Sequence, residues 1–127
     1  IRNKILPAIP RRGPCEPFFP AEKLGRAHEP LFKISSTASG QCWSLTSYCP
    51  VPGPVPASPA NRNYQAGFTA AMMLKDLKLA QAAAQSSGAA TPLGAQAAAL
   101  YTLFESAGAG GRDFSGIIQL LRGQPQA

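Results

Sequence analysis

Acidic side chains are scarce, with six Asp and Glu against twelve Lys and Arg in 127 residues, and histidine occurs once, as His28. One histidine and three cysteines (Cys15, Cys42, Cys49) without C-x-x-C spacing make no metal-ligand pattern, so no metal site and reduced thiols are expected. Long hydrophobic runs are lacking too. No apolar stretch approaches the roughly 18 residues needed to span a bilayer, and the start lacks the basic-then-apolar order of a secretory leader. A soluble, intracellular chain with no membrane partner is expected. Also absent is any strand-turn-helix with a glycine fingerprint: Ala107-Gly108-Ala109-Gly110-Gly111 has no third glycine at G-x-G-x-x-G spacing and no preceding strand, and reads as a connection between helices.

The net charge of +6 is concentrated at the start, where residues 1–33 hold seven Lys and Arg against three Glu. These basic residues are scattered among prolines and form no basic helix face, so nucleic acid is not an expected partner. The length suits one domain, or a piece of a larger protein. Prolines 7, 10, 14, 17 and 20 fall within 14 residues, and an interior proline costs a helix about 3 kcal/mol. No continuous helix is expected before Ala21, and Ala21–Gly25 supports a turn or two. Leu31–Ser36 reads as a short helix. Pro50-Val51-Pro52-Gly53-Pro54-Val55-Pro56, with Pro59 following, reads as an extended surface connector.

The second half is helical. Phe68 to about Ser87 reads as one helix stopped by Gly88. Thr91-Pro92 supplies a cap and a first-position proline for a second, with Leu93, Ala97, Leu100 and Phe104 on its apolar face and Gly108 as its stop. Asp113 caps a third, in which Phe114, Ile117, Ile118 and Leu121 are apolar, ended by Gly123. The first of these holds an anomaly. Lys75 belongs to the row Phe68, Met72, Leu79, Ala82, which at helical spacing is expected to face a core or a cleft, and a lysine there requires an anionic or polar partner.

Ser36 through Ser44 (S-T-A-S-G-Q-C-W-S), Tyr48 through Gly53 (Y-C-P-V-P-G), Asn63-Tyr64-Gln65 with Gly67-Phe68, Met73-Leu74-Lys75-Asp76-Leu77 with Leu79-Ala80-Gln81, and Arg112-Asp113-Phe114-Ser115 resemble the C-terminal domain of 3-hydroxyisobutyrate dehydrogenases. The likeness covers about residues 31–123. It continues toward the start, through Asn3, Leu6, Ala8-Ile9, Gly13, Glu16 and Phe18, as a proline-disrupted copy of that family's long interdomain helix. The fold implied is all-α, the C-terminal helical domain of a 6-phosphogluconate dehydrogenase-like fold, with the Rossmann domain missing from this chain. The division expected is a remnant of the interdomain helix over 1–33, the helical cofactor, substrate and oligomerisation domain over 34–123, and a tail over 124–127.

The resemblance implies hydride transfer from 3-hydroxyisobutyrate to NAD, giving methylmalonate semialdehyde in valine breakdown. The partners implied are a small hydroxy acid and further copies of the chain, in a bacterial cytoplasm or a mitochondrial matrix. It implies that Lys75 reaches the cofactor and the active-site cleft, that Asp76 helps organise the site, that Trp43 and Tyr48 wall the substrate pocket, and that Phe68, at the mouth of the same helix, is core first and site wall second, with a contact to the cofactor. The family's proton-transferring lysine would fall immediately before Ile1, and the asparagine four residues after it corresponds to Lys4, Asn3 matching its neighbour. The chain alone is therefore expected to be inactive, or to serve as a non-catalytic oligomerisation or binding module.

Overall fold

A computed structural model describes residues 17–124. The expectations attached to Asn3, Lys4, the first three prolines and Cys15 lie outside the described residues. Among these residues every regular element is a helix or helical turn, with no strand and one isolated bridge, Thr69 to Asp113.

The first described helix, α1, covers residues 17–23. This corrects the expectation that no helix precedes Ala21. Pro17 and Pro20 both lie inside it, because the bonds that end the helix use the carbonyls of Pro20 and Ala21, bonded to the N–H groups of Leu24 (3.0 Å) and Arg26 (2.8 Å), and need no proline N–H. α2 runs His28–Ser36, starting three residues before the expected helix, with Pro30 in the first turn, where its missing N–H is no loss. α3 is a single turn, Trp43–Thr46.

The proline-rich stretch is non-helical, as expected, and Pro52, Gly53 and Pro56 are exposed, but its two ends are anchored in the interior. Val51 is fully buried, as are Cys49 and Ser58, and only its middle lies outside. Asn61 folds it back, accepting from the Gly53 N–H (2.9 Å) and donating to the Val55 carbonyl (2.8 Å). Ser58 Oγ donates to the Cys49 carbonyl (2.5 Å). A 3-10 turn, Pro59–Arg62, leads to Tyr64, a buried residue in the left-handed region (φ 56°). A conformation that costs of order 1–3 kcal/mol in a non-glycine residue is held by bonds from the Tyr64 N–H to the Pro59 carbonyl (2.9 Å), from Tyr64 Oη to the Pro50 carbonyl (2.9 Å), and from the Asp113 N–H to the Tyr64 carbonyl (2.9 Å).

α4, Ala70–Ser87, is the longest helix. The Thr69 hydroxyl caps it by accepting from the Met72 N–H (3.2 Å), and Gly88, at φ 69°, ends it. α5, Pro92–Phe104, starts on the expected proline and passes into a wider turn, Glu105–Ala109, where Gly108 takes φ 86° and reverses the chain. A 3-10 turn, Phe114–Gly116, feeds α6, Ile117–Leu121.

Two apolar clusters result. Ala70, Met73, Leu74 and Leu77 of α4 pack on Ala97, Tyr101 and Phe104 of α5, with Phe114 and Ile117 beneath. The Tyr101 hydroxyl, buried in that cluster, donates to the Phe114 carbonyl (2.9 Å). The second cluster gathers Phe18, Leu45, Cys49, Val51 and Tyr64 around Ile118. Fully burying a side chain such as Leu77 or Phe104 contributes about 1.5–3 kcal/mol.

Candidate functional site

The site grows from one carboxylate. Asp113 is fully buried, and its bridge to Thr69 sets the turn before α6 against the turn before α4. Oδ2 accepts from the Tyr48 hydroxyl (2.8 Å), the Gly67 N–H (3.0 Å) and the Phe68 N–H (3.2 Å). Oδ1 accepts from the Ser115 N–H (2.9 Å) and the Ser115 hydroxyl (2.6 Å). Backbone N–H groups can only donate, so both oxygens act as acceptors, and the phenol donates to Oδ2 alongside them. The sequence marked Asp113 as a helix cap, which is its Oδ1 half. Its Oδ2 half ties the loop after α3 to the start of α4, and no local pattern signals a partner 65 residues away.

Four rings stand around this carboxylate. Trp43 stacks on Tyr48 (centroids 5.2 Å apart, planes 24°), Tyr48 lies against Phe114 (5.4 Å, 33°), and Phe68 meets Phe114 edge-on (5.6 Å, 90°). Trp43 is 54% exposed while its neighbours Ser44 and Leu45 are buried beneath it. Tyr48 and Phe68 are half-buried, packed against the first cluster. Sequence reasoning named Trp43, Tyr48 and Phe68, and the fold brings them together. It missed Phe114, the ring that joins the other two sides of the wall.

For Lys75 the core alternative is corrected, while its place on a groove agrees with the cleft alternative. Its row is the outward one: Met72 and Leu79 are each 53% exposed, and Lys75 and Ala82 are exposed with them. The buried row of α4 is Ala70, Met73, Leu74, Leu77, Ala80 and Ala84, one position away. Both rows satisfy helical spacing, and the inner one wins because α5 and the Phe114 turn cover it. Lys75 lies over a shallow groove of about 390 Å³ with Ala71, Leu74, Lys78, Leu79 and Glu105. Asp76 is half-buried beside it. Five residues of α-helix place Lys75 about 7.5 Å along the axis from Ala70, where the carboxylate and the rings meet the helix.

The remaining titratable groups lie elsewhere. Burial pushes the Cys49 thiol up, keeping it protonated and inert. Burial also works to raise the Glu22 carboxyl, but hydrogen bonds from Arg122 and His28 outweigh it and hold the group below its ordinary value. No cluster of three or more His, Cys, Asp or Glu suited to a metal occurs among the described residues.

For a dinucleotide, the donor set fits in part. Lys75 and Lys78 offer two ammonium groups on one open face, suited to anionic oxygens, and Phe68 offers a ring. A groove of about 390 Å³ takes one edge of such a molecule, not its whole length. No helix among the described residues is long and apolar enough to cross a membrane.

A family profile described as "NAD-binding of NADP-dependent 3-hydroxyisobutyrate dehydrogenase" matches residues 1–121. A probable 3-hydroxyisobutyrate dehydrogenase of Mycobacterium tuberculosis is 43% identical over 125 residues, which cover 98% of this chain and 42% of that protein. The mitochondrial 3-hydroxyisobutyrate dehydrogenase of Bos taurus is 40% identical over 122 residues, 96% of this chain and 36% of that protein. The chain thus spans about two fifths of the length of the curated relatives it matches. Among solved structures, the Mycobacterium tuberculosis 3-hydroxyisobutyrate dehydrogenase with L-serine superposes with a TM-score of 0.89 at 44% identity, covering 94% of this chain and 41% of that one. A Salmonella typhimurium protein at 20% identity and TM-score 0.73 shares the fold.

Proposed function

The chain belongs to the 3-hydroxyisobutyrate dehydrogenase family as its C-terminal helical domain, and from that premise we propose that it forms the substrate-walling part of an NAD(P)-dependent oxidoreductase acting on a small β-hydroxy acid. The observation that carries the reading is the gathering of Trp43, Tyr48 and Phe68 around Asp113 at the start of the helix that bears Lys75 and Asp76.

In this reading Trp43 and Tyr48 form one wall of the substrate pocket and exclude water from it. Phe68 and Lys75 touch the cofactor, the lysine as a positive group on the open face of α4, and Asp76 positions that lysine's surroundings. The nicotinamide, when bound, supplies the hydride acceptor. Everything else that this chain's residues do is binding, orientation and the exclusion of solvent. The substrate is 3-hydroxyisobutyrate, a product of valine degradation, and the setting is a bacterial cytoplasm or a mitochondrial matrix. L-serine, present in the mycobacterial structure, is a β-hydroxy acid of the same size class.

The 127 residues assayed by themselves are expected to be inactive. The test is a chimera joining the N-terminal part of the mycobacterial relative to this chain, assayed for NAD(P) reduction with 3-hydroxyisobutyrate beside the 127-residue chain. Activity in the chimera, lost on Lys75→Ala, supports the reading. Turnover by the isolated chain, or a folded chimera indifferent to Lys75→Ala, would overturn it. A second reading, a self-associating module without catalysis, is favoured by the exposure of Met72, Leu79, Leu93 and Leu103 on the two longest helices. Sedimentation at micromolar concentration separates the two, since a strict monomer leaves that second reading without support.

A further inference from the structure

Helix α1 is held at both ends by residues from elsewhere in the chain. At one end Phe18 is buried in the second cluster, with Leu45, Cys49, Val51 and Ile118. At the other, Arg122, a hundred residues on and just past α6, engages both oxygens of the Glu22 carboxylate: Nε donates to Oε2 (3.2 Å) and Nη2 to Oε1. His28, the first residue of α2, bonds Oε1 through Nε2 (2.8 Å) and sets its ring edge-on to Phe18 (centroids 5.6 Å apart, planes 86°). The Arg122 guanidinium also stands 6.0 Å from the centre of the Phe19 ring. One carboxylate therefore joins α1, α2 and the end of α6. The side chains of Glu22, His28 and Arg122 are 29%, 25% and 16% exposed, so water competes less here than at an open surface pair, and the two-pronged contact fixes direction as well as distance.

The same cluster carries α3. That helix has four residues and no side-chain cap, and a single turn does not sustain itself, because nucleation fixes several backbone dihedrals for one hydrogen bond. Its place is set by Leu45, buried in the cluster that holds Phe18. Trp43 opens the turn and stacks on Tyr48, two residues past its end. Helix α1 is equally unable to stand alone, being seven residues long with prolines at 17 and 20. We infer that Glu22 and Arg122 are positioning residues for the substrate wall: their clasp seats α1, α1 seats Phe18 in the cluster that holds Leu45, and α3 thereby presents Trp43 to Tyr48. The inference rests on the reading that Trp43 and Tyr48 wall the substrate pocket. It extends the machinery of that pocket to a carboxylate and a guanidinium that belong neither to the rings nor to the groove under Lys75.

The experiment follows the emission of Trp43, the only tryptophan, and its quenching by acrylamide in the 127-residue chain, in Glu22→Gln, in Arg122→Gln and in the double variant. A pair that merely adds stability lowers the melting temperature and leaves native-state quenching unchanged, whereas a clasp that positions the ring alters quenching well below the melt. Each single variant is expected to raise the quenching constant, by less than about twofold because Trp43 is already 54% exposed. The double variant is expected to raise it no further, since either substitution opens the same contact. Arg122→Lys keeps the charge and gives up the two-pronged geometry, so it is expected to give part of the rise. It decides the question should a glutamine variant lose the far-UV circular dichroism of a folded chain. Quenching unchanged in every folded variant, or single rises that add in the double, would overturn the inference. No substrate enters this measurement, so such a result leaves the wall reading standing. Failure of the chimera overturns that reading and, with it, the role assigned to the clasp.

Discussion

Replacing Asp113 by alanine removes the acceptor for five donors at once: the Tyr48 hydroxyl, the N–H groups of Gly67 and Phe68, and the N–H and hydroxyl of Ser115. They do not count equally. Gly67 is exposed and Phe68 and Tyr48 are half-buried, so water replaces much of what they lose. Ser115 is buried, and its two donors are stranded at about 1–3 kcal/mol each. With a smaller loss on the Oδ2 side, the total comes to roughly 3–5 kcal/mol, a large share of the 5–15 kcal/mol typical of a domain. Asparagine should cost about half as much, since its one oxygen serves one side of the hub while its amide faces donors on the other. Urea titrations of the three proteins, followed by far-UV circular dichroism at constant slope, give the differences directly. A loss below about 1 kcal/mol for alanine, or an asparagine variant as stable as the parent, would refute the claim that this carboxylate ties the loop after α3 to both turns.

Lys75→Ala should change stability by less than about 0.5 kcal/mol, because the side chain is exposed, while it abolishes turnover of the chimera; thermal melts and the assay together check this. Leu77→Ala, at a fully buried position between α4 and α5, should cost about 2–5 kcal/mol in the same urea titration. The Glu22 carboxyl, held low by Arg122 and His28, contributes stability that is present above its ordinary value of 4.5 and is lost as pH falls through the lower folded value. Melting temperatures of the parent and Glu22→Gln should therefore differ near neutrality and converge as the solution is acidified, and a difference independent of pH would sink the assignment. Gly88→Ala, at φ 69°, should cost about 1 kcal/mol, read from the same melts.

Local chemistry made the ends of the helices legible. Pro92, Gly88 and the Oδ1 half of Asp113 each act through atoms within four residues of themselves and stand where their residue types indicated. Thr91, expected to cap α5, makes no capping bond and donates to Gln81 Oε1 instead, and sequence reasoning did not single out Thr69, which does cap α4. The facing of α4 was not legible. In an alanine-rich helix the row through Met73, Leu77 and Ala80 and the row through Met72, Lys75 and Leu79 differ little in hydrophobic contrast, and only the position of α5 decides between them. The proline-rich stretch misled at its ends for a related reason: composition reports what a segment cannot form, while the burial of Cys49, Val51 and Ser58 depends on Phe18 and Ile118 arriving from elsewhere. Three of the candidate residues, Trp43, Tyr48 and Phe68, gather at one place. The resemblance named them, and the carboxylate beneath them emerges only in three dimensions.

Adjacent residues of α6 serve different clusters, Ile117 closing the one between α4 and α5 and Ile118 the one around Val51. On a ribosome that short helix emerges after every other element it touches. Until it does, Leu77 and Tyr101 on one side and Phe18 and Leu45 on the other wait with an open seat between them. Synthesis of this domain is therefore a period of exposure ended by a single late event, and a nascent chain stalled before residue 117 is the species that a holding chaperone or a protease would meet.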